Sequence, residues 1–243
     1  MFFTIYLIKN VRRKPMLREL KIRTLSANLQ LKSRNLDSFG YGNVSVIDRE
    51  SGLIVVRPAC ADYDQLSLDD MLLIDLMGNI VEGKGEPTDD VKIHIELYRN
   101  FAELDSLALI RSPFVTAFAQ AGRDIPFYGA LHADFFGSDI PCARLLDEHD
   151  YAENYEQNLA RSIVDEVASF TPDVMPAVLV RSHGAFAFGK NADDAVRNAV
   201  ALEETAKTAF LTEMLSPDVN QPAFSLLEKR FYSRHKREDE IEE

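Results

Sequence analysis

The sequence contains only two cysteines, Cys60 and Cys142, in 243 residues. They form no Cys-x-x-Cys pair, and two cysteines are too few for a disulfide framework, so we expect a reducing, cytoplasmic setting. The glycine-rich loops that hold nucleotide phosphates, Gly-x-Gly-x-x-Gly and Gly-x-x-x-x-Gly-Lys-Ser/Thr, are also missing. A Rossmann or P-loop nucleotide site is therefore unsupported.

Basic residues are outnumbered, with 27 lysines and arginines against 39 aspartates and glutamates, which leaves a formal charge of -12. Proteins that coat nucleic acids need clustered lysine and arginine to displace counterions from phosphates. We therefore expect no nucleic-acid partner. Any anionic ligand must be met by a local basic group.

Long apolar runs are missing as well. Residues 2–8 are apolar except for one threonine, and this run is far shorter than the roughly 20 residues of a membrane-spanning helix. The basic residues follow the run, whereas a secretory signal carries them in front of it. We therefore expect no membrane partner and interpret residues 1–15 as an N-terminal extension.

The remaining composition is that of a globular protein, with 46% hydrophobic and 27% charged residues. The length fits one large α/β domain, and no internal repeat or linker divides the chain. We place this domain at residues 16–235. Residues 236–243 are mostly charged, and we expect them to form a solvated tail.

Hydrophobic periodicity predicts alternating helices and short strands. Turn residues join two pairs of strands into hairpins, so the sheet is expected to be at least partly antiparallel. The predicted helices cover residues 16–35, 89–101, 114–120, 155–170, 191–215 and a segment from about residue 222. The predicted strands cover residues 44–47, 53–56, 72–76, 80–81, 107–110 and 177–180.

A series of short motifs runs through the chain from residue 16 to about residue 235. They are Gly42-Asn43-Val44-Ser45, Pro58 with Asp62-Tyr63, Val81-Glu82-Gly83, Pro87-Thr88-Asp89-Asp90, Ala119-Gln120-Ala121-Gly122, His132-Ala133-Asp134, Ile140-Pro141-Cys142, Ser182-His183-Gly184 and Gly189-Lys190-Asn191-Ala192. With these motifs in this order, the chain resembles the class II aldolase/adducin superfamily, and within it most closely the L-ribulose-5-phosphate 4-epimerases.

The resemblance implies a three-layer α/β/α sandwich with a central, mostly antiparallel sheet. It also implies a homotetramer whose active sites lie between subunits. Members of the superfamily act on phosphorylated sugars by retro-aldol and aldol chemistry, and they use a divalent metal, usually zinc, to stabilise an enediolate. A metal can do this because it neutralises the negative charge that forms on oxygen.

The metal site implied by the resemblance is only partly present. The family's closely spaced pair of histidines corresponds to Leu109 and Arg111, and only the third histidine, His183, is kept. Asp90 matches the family's acidic site residue. One imidazole and one carboxylate bind a divalent ion weakly, and the guanidinium of Arg111 would repel it. We therefore expect weak or absent metal binding.

The resemblance also assigns substrate and catalytic positions. Asn43, Arg57, Thr88 and Asp89 stand where the family contacts the substrate phosphate, although Asp89 replaces a serine there. Asp134 matches the catalytic aspartate that moves a proton to or from a substrate hydroxyl. The family's C-terminal acid/base tyrosine has no counterpart.

Three functions remain open from the sequence. The chain is a sugar-phosphate epimerase or aldolase with a reduced metal site, a metal-free binding or assembly module, or a metal-independent enzyme. In the last case Arg111 and Arg181 would bind a carboxylated or phosphorylated substrate, since a guanidinium supplies fixed positive charge for an oxyanion. The competing interpretation of Arg111 is an ion pair to Asp90 or Asp134 that fills the position of the family's metal site.

Overall fold

A computed structural model describes residues 2–37, 39–59 and 63–242 of the chain, and the side chains within residues 16–37, 39–59 and 63–235. Its strands form one eight-stranded sheet in the order β4-β3-β2-β1-β5-β8-β7-β6. Every pairing is antiparallel except that of β6 with β7. The strands are β1 (Asn43–Asp48), β2 (Leu53–Val56), β3 (Leu72–Asp75), β4 (Ile80–Glu82), β5 (Ser106–Ile110), β6 (Cys142–Ala143), β7 (Ala177–Val180) and β8 (Gly184–Gly189).

Eight helices accompany this sheet in the described part of the chain. They are α1 (Phe2–Ser33), α2 (Val91–Asn100), α3 (Pro113–Ala121), α4 (Ala130–Phe135), α5 (Glu148–Ala152), α6 (Tyr155–Val167), α7 (Ala192–Leu215) and α8 (Phe224–Glu242). A short 3-10 turn at Leu68–Asp70 precedes β3.

The strand β5 explains why helices cover both faces of the sheet. All five of its residues are buried, and successive side chains of a strand point to opposite faces. Ala108 and Ile110 pack with α1, α3 and α7, whereas Leu107 and Leu109 pack with α2 and α6. The result is a sandwich of three layers, which confirms the predicted fold class.

The predicted hairpins are also confirmed. The first joins β1 to β2 through a turn in which the amide of Gly52 donates to the carbonyl of Asp48 at 2.8 Å. The second joins β3 to β4, and Gly78 takes the left-handed conformation that its turn requires, with a φ of 85°. The two hairpins build the half of the sheet that ends at β4.

Several elements differ from the sequence prediction. The strands β6 and β8 and the short helices α4 and α5 were not predicted, and α6 ends at Val167, three residues early. The helix α1 runs without a break from Phe2, so its backbone does not mark the boundary placed at residue 16. The side chains of residues 1–15 and 236–243, and all of Cys60, lie outside the described residues. The proposed extension and tail therefore stay predictions.

None of the described helices is long and apolar enough to cross a membrane.

Candidate active site

His183 lies in the tight turn between β7 and β8. Val180 and Gly184 are paired across the sheet, and the amide of His183 donates to the carbonyl of Val180 at 2.9 Å. Ser182 has a φ of 60°, a left-handed conformation that non-glycine residues adopt at a cost in free energy. Gly184 has a φ of 148°, and a Cβ there would lie 2.6 Å from the carbonyl oxygen of Ile110. The turn thus sets His183 beside the end of β5.

Arg111 directly follows β5 and reaches both His183 and Asp90. Its Nη2 donates to His183 Nε2 at 3.1 Å and lies 3.6 Å from Asp90 Oδ1. Asp90, the residue that precedes α2, places the same oxygen 3.1 Å from His183 Nε2. The side chain of His183 is 7% exposed, that of Asp90 17% and that of Arg111 26%. Three separate segments thus build one partly buried cluster.

Both ring nitrogens of His183 have partners. Nε2 faces a donor, Arg111, and an acceptor, Asp90, but a neutral imidazole nitrogen either donates or accepts. On the other side of the ring, the hydroxyl of Tyr155, the first residue of α6, lies 3.2 Å from Nδ1. Because a hydroxyl can donate or accept, Tyr155 satisfies either tautomer of His183.

The charges of the cluster favour an ionised Asp90. Burial alone would raise the pKa of this carboxyl, but the hydrogen bond and charge of His183 and the charge of Arg111 outweigh it and hold the pKa below its usual value. For Tyr155, burial and the neighbouring Tyr151 raise the pKa against the opposing charge of Arg111. The tyrosine therefore remains a neutral hydroxyl near pH 7.

Tyr41 covers Arg111 from the side of β1. The guanidinium carbon of Arg111 lies 5.4 Å from the centre of the Tyr41 ring, within the range of a cation–π contact. The Nε of Arg111 is buried and has no hydrogen-bond partner among the described residues. Tyr41 and Tyr155 were both missed by sequence reasoning, because neither belongs to a motif that implies chemistry.

Asn43 begins β1 and pairs with Leu109 of β5. Only 3% of its surface is exposed, and its Nδ2 has no partner among the described residues. Cross-strand partners share one face of a sheet, so Asn43 lies on the same face as Leu109, two residues before Arg111. It therefore lies close to the cluster, but below the surface.

A second histidine, His94, lies beneath the cluster and was also missed. It is fully buried on α2, four residues after Asp90, and its Nδ1 is 2.7 Å from the hydroxyl of Ser45. Burial lowers the pKa of His94 to about 4, against the opposing charge of Asp90. The sequence signal that could have identified His94 is its spacing of four residues from Asp90, which places the two residues on one face of a helix.

Arg57 is used within the protein itself. Its guanidinium donates to the backbone carbonyls of Gly40, Gly42 and Pro58, and Tyr63 donates to the same Gly42 carbonyl at 2.7 Å. Only 2% of Arg57 is exposed. These bonds hold the loop that carries Tyr41, and the predicted contact of Arg57 with substrate stays a prediction.

The two segments predicted to bind phosphate lie side by side. The amide of Ala59 donates to the carbonyl of Glu86 at 2.7 Å, which ties the first segment to the second. The carboxylate of Asp89 is 88% exposed and lies 3.9 Å from Lys92. Thr88 supplies its carbonyl to the first turn of α2. The predicted substrate contacts of Thr88 and Asp89 stay predictions.

Asp134 lies elsewhere, on α4. Arg230 of α8 donates to both of its carboxylate oxygens, at 2.8 and 2.6 Å. No described hydrogen bond or ion pair links Asp134 to Asp90 or His183. The chain by itself therefore does not bring the predicted catalytic aspartate to the cluster.

Arg181 does not join the cluster either. Its guanidinium lies against Gly122, where a Cβ would come within 2.4 Å of Arg181 Cζ. The left-handed Ser182 interrupts the alternation of the strand, so Arg181 and His183 do not face the same way as residues two apart normally do. Of the two arginines expected at the old metal site, only Arg111 is there.

His132 is a buried residue of α4. Its Nε2 lies 2.7 Å from the carbonyl of Ser138, and its ring packs edge-on against Phe127 and Phe136. Burial lowers its pKa, which favours the neutral ring. These contacts give His132 a structural role in packing α4.

The donor set does not fit the divalent metal site implied by the resemblance. His183 and Asp90 supply one nitrogen and one carboxylate, whereas Leu109 offers no ligand atom and Arg111 brings a fixed positive charge 3.1 Å from His183 Nε2. No group of three or more histidine, cysteine or acidic side chains with metal-site geometry occurs among the described residues. Metal sites normally need three or four such ligands.

Residues 23–210 match the family model described as "Class II Aldolase and Adducin N-terminal domain".

Solved structures share the fold at low sequence identity. An L-fuculose 1-phosphate aldolase is 22% identical, with a TM-score of 0.74, and the match covers 90% of this chain and 96% of that one. The L-fuculose 1-phosphate aldolase from Glaciozyma antarctica PI12 is 18% identical, with a TM-score of 0.72 and coverage of 89% and 81%. An aldolase II superfamily protein from Pseudomonas syringae is 14% identical, with a TM-score of 0.75 and coverage of 93% and 88%.

Proposed function

Because the chain belongs to the class II aldolase and adducin family, we propose that it performs aldolase- or epimerase-type chemistry in a form that needs no metal. The substrate is a small oxyanion, phosphorylated or carboxylated. Arg111 is the group that stabilises negative charge on the reacting oxygen.

The position of Arg111 is the observation that carries this proposal. Its guanidinium contacts both His183 and Asp90, the two residues that the resemblance assigns to the metal. Both the metal and a guanidinium supply positive charge at a fixed point, and an electrostatic contact prepared in advance can stabilise an oxyanion in the transition state. Arg111 thus supplies charge where the family's cation would supply it.

The other residues would orient Arg111 and handle protons. Asp90 and His183 hold the guanidinium in place on one side, and Tyr41 covers it on another. Asp134 would transfer a proton to or from a substrate hydroxyl. Since Asp134 does not contact the cluster of its own chain, this role requires a second subunit, in line with the proposed homotetramer with sites between subunits.

A binding or assembly module is the second candidate. Two observations favour it: Arg111 is already paired with Asp90, and Arg230 occupies both oxygens of Asp134. In that case these ion pairs occupy the positions of the family's metal and catalytic residues, and they stabilise the fold. The two candidates differ in whether Arg111 is needed for turnover.

Turnover and metal content together test the proposal. The full-length protein would be analysed by metal mass spectrometry and assayed with ribulose 5-phosphate, fuculose 1-phosphate and a panel of hydroxy and oxo acids, before and after treatment with a chelator. We expect turnover that the chelator does not change and that Arg111→Ala lowers by about 10²- to 10³-fold, as for loss of an oxyanion donor.

Arg144→Ala is the matched control, since Arg144 is a half-exposed arginine paired with Asp150. It should leave turnover unchanged. Stoichiometric metal with chelator-sensitive turnover would overturn the metal-free proposal. The absence of turnover in a folded, metal-free protein would favour the binding module.

A further inference from the structure

Tyrosine side chains lie around the cluster of Asp90, Arg111 and His183. Tyr41 lies over Arg111. Tyr155 lies beside His183, and the centres of these two rings are 6.4 Å apart. Tyr151 extends the aromatic surface of Tyr155, because the two rings stack with 5.7 Å between their centres and an angle of 21° between their planes. Tyr41 is 58% exposed and Tyr151 46% exposed, so both rings present aromatic surface to solvent.

One end of the Arg111 guanidinium is available to a ligand. Nη2 is engaged by His183 and Asp90, whereas no described residue accepts a hydrogen bond from Nη1. The side chain is 26% exposed. An arginine in this setting can bind one carboxylate through a charge-assisted hydrogen bond.

The charges around the cluster favour a ligand with one negative charge over a phosphate ester. Asp89, Asp90 and Glu156 are acidic, and Arg111 and Lys92 are basic; Lys92 lies 3.9 Å from Asp89 and 3.4 Å from Glu156. This group is therefore negative by one charge when His183 is neutral. A phosphate ester carries about two negative charges at neutral pH, so it would meet more repulsion than a carboxylate.

Two of the donors that the sequence analysis assigned to phosphate, on Arg57 and Asn43, are committed or covered. Arg57 is 2% exposed and directs its guanidinium to backbone carbonyls. The Nδ2 of Asn43 is buried beneath the surface. Neither group offers an exposed donor comparable to Arg111 Nη1.

From these contacts we infer that the site takes a small, planar monocarboxylic acid. Its carboxylate binds Arg111 Nη1, and its flat body packs between Tyr41 and the stacked pair Tyr151 and Tyr155. Aromatic faces favour such stacking in addition to the burial of apolar surface. The inference rests on the proposed role of Arg111 as the anion-binding group, and it names the class of substrate.

Binding measurements on the full chain test this inference. Isothermal titration calorimetry would use benzoate, acetate, inorganic phosphate and ribulose 5-phosphate as probes. We expect benzoate to bind at least about tenfold more tightly than acetate, since stacking on aromatic rings adds to the carboxylate contact. Phosphate and ribulose 5-phosphate should neither bind in the same range nor displace benzoate.

Variants locate the contacts. Tyr41→Ala and Tyr151→Ala should each weaken benzoate binding severalfold and leave acetate binding nearly unchanged. Arg111→Gln and Arg111→Lys should weaken both acids, with circular dichroism confirming that the variants fold. Tyr232→Ala is the control, because Tyr232 is 64% exposed on α8 and contacts Phe231 rather than the cluster.

Displacement of benzoate by phosphate or ribulose 5-phosphate would overturn the inference, and so would benzoate binding that neither tyrosine variant changes. Turnover is a separate result. If benzoate binds as expected and no acid is turned over, planar monocarboxylic acids are ligands of the site, and the proposed catalytic function fails. If metal-free turnover depends on Arg111 but phosphosugars bind better than planar acids, the catalytic proposal stands and the inference fails.

Discussion

Arg230 holds both carboxylate oxygens of Asp134, with Nε 2.8 Å from Oδ1 and Nη2 2.6 Å from Oδ2. This pair links α8 to α4. Leu227 and Phe231, one turn apart from each other on α8, are 3% and 5% exposed and supply the apolar part of the same contact. The helix α8 thus covers Asp134, the aspartate to which the resemblance assigns a catalytic role.

Loss of this ion pair is expected to loosen α8. We predict that Arg230→Ala increases amide hydrogen exchange severalfold across residues 224–235, with little change in global stability, because an exposed pair contributes little and the apolar contacts remain. Hydrogen exchange followed by mass spectrometry measures the effect. Lys229→Ala, one residue earlier on the same helix, should leave exchange unchanged. Equal exchange in both variants would contradict the prediction.

The turn that carries His183 should depend on Gly184. A Cβ at Gly184 would lie 2.6 Å from the carbonyl oxygen of Ile110 and 3.0 Å from Arg111 Cγ, at a φ of 148° that other residues avoid. Gly184→Ala is therefore expected to lower the free energy of unfolding by roughly 2 kcal/mol or more and to displace Arg111. Urea denaturation measures the change in the free energy of unfolding.

Gly129→Ala is the matched control for this substitution. Gly129 has extended backbone, and a Cβ there meets nothing within 4 Å. The control variant should unfold at nearly the same urea concentration as the unsubstituted protein. A similar loss in both variants would mean that the close approach at Gly184 is not the cause.

Glu203 anchors the helix that follows Arg111. Its two carboxylate oxygens accept from the amides of Phe114 and Val115, at 3.1 and 3.0 Å, in the first turn of α3. We predict that Glu203→Ala costs about 2 kcal/mol of stability, since two amide donors lose their acceptor. Glu203→Gln should cost less, because the amide keeps one acceptor oxygen.

Glu204→Ala controls for the loss of a charge at this point of α7. Glu204 is exposed, and its carboxylate lies 3.9 Å from Lys207. Thermal unfolding of the three variants should therefore rank Glu204→Ala close to the original protein and Glu203→Ala lowest. The reverse order would refute the anchoring role.

Much of the fold could be predicted because local patterns and tertiary packing agree. The hairpin of β1 and β2 has β-branched strands and a polar turn, and Asn191 caps the start of α7, where its side chain accepts from the Asp194 amide. The strand β8 escaped prediction because its residues, Gly184–Gly189, alternate alanine with phenylalanine and are buried on both faces. A strand of this kind has no alternation of polar and apolar residues to reveal it.

The site was predictable only in part. Asp90, Arg111 and His183 were identified from motif positions, and they do meet. Arg181 was expected to act together with Arg111, since it lies two residues before His183, but the left-handed Ser182 lies between Arg181 and His183 and Arg181 packs against Gly122. A positive φ at a serine leaves no mark in the sequence.

Acid should destabilise the protein through His94. This residue is fully buried, and burial lowers its pKa to about 4, whereas the pKa of an unfolded histidine is about 6.5. The folded state thus binds fewer protons than the unfolded state in this interval. Its stability is complete above about pH 6.5 and falls as the pH drops towards 4, by up to about 3 kcal/mol.

His94→Asn separates this effect from the titration of carboxylates. Asparagine has no titration in this range and offers a polar atom near the position of Nδ1, which lies 2.7 Å from the hydroxyl of Ser45. Urea denaturation at pH 7.5, 6.0, 5.0 and 4.5 would measure the free energy of unfolding of both proteins. We expect the original protein to lose more stability than His94→Asn over this range, by up to about 3 kcal/mol, because only the original must protonate a buried ring. Parallel pH curves for the two proteins would show that His94 is not the acid-sensitive group.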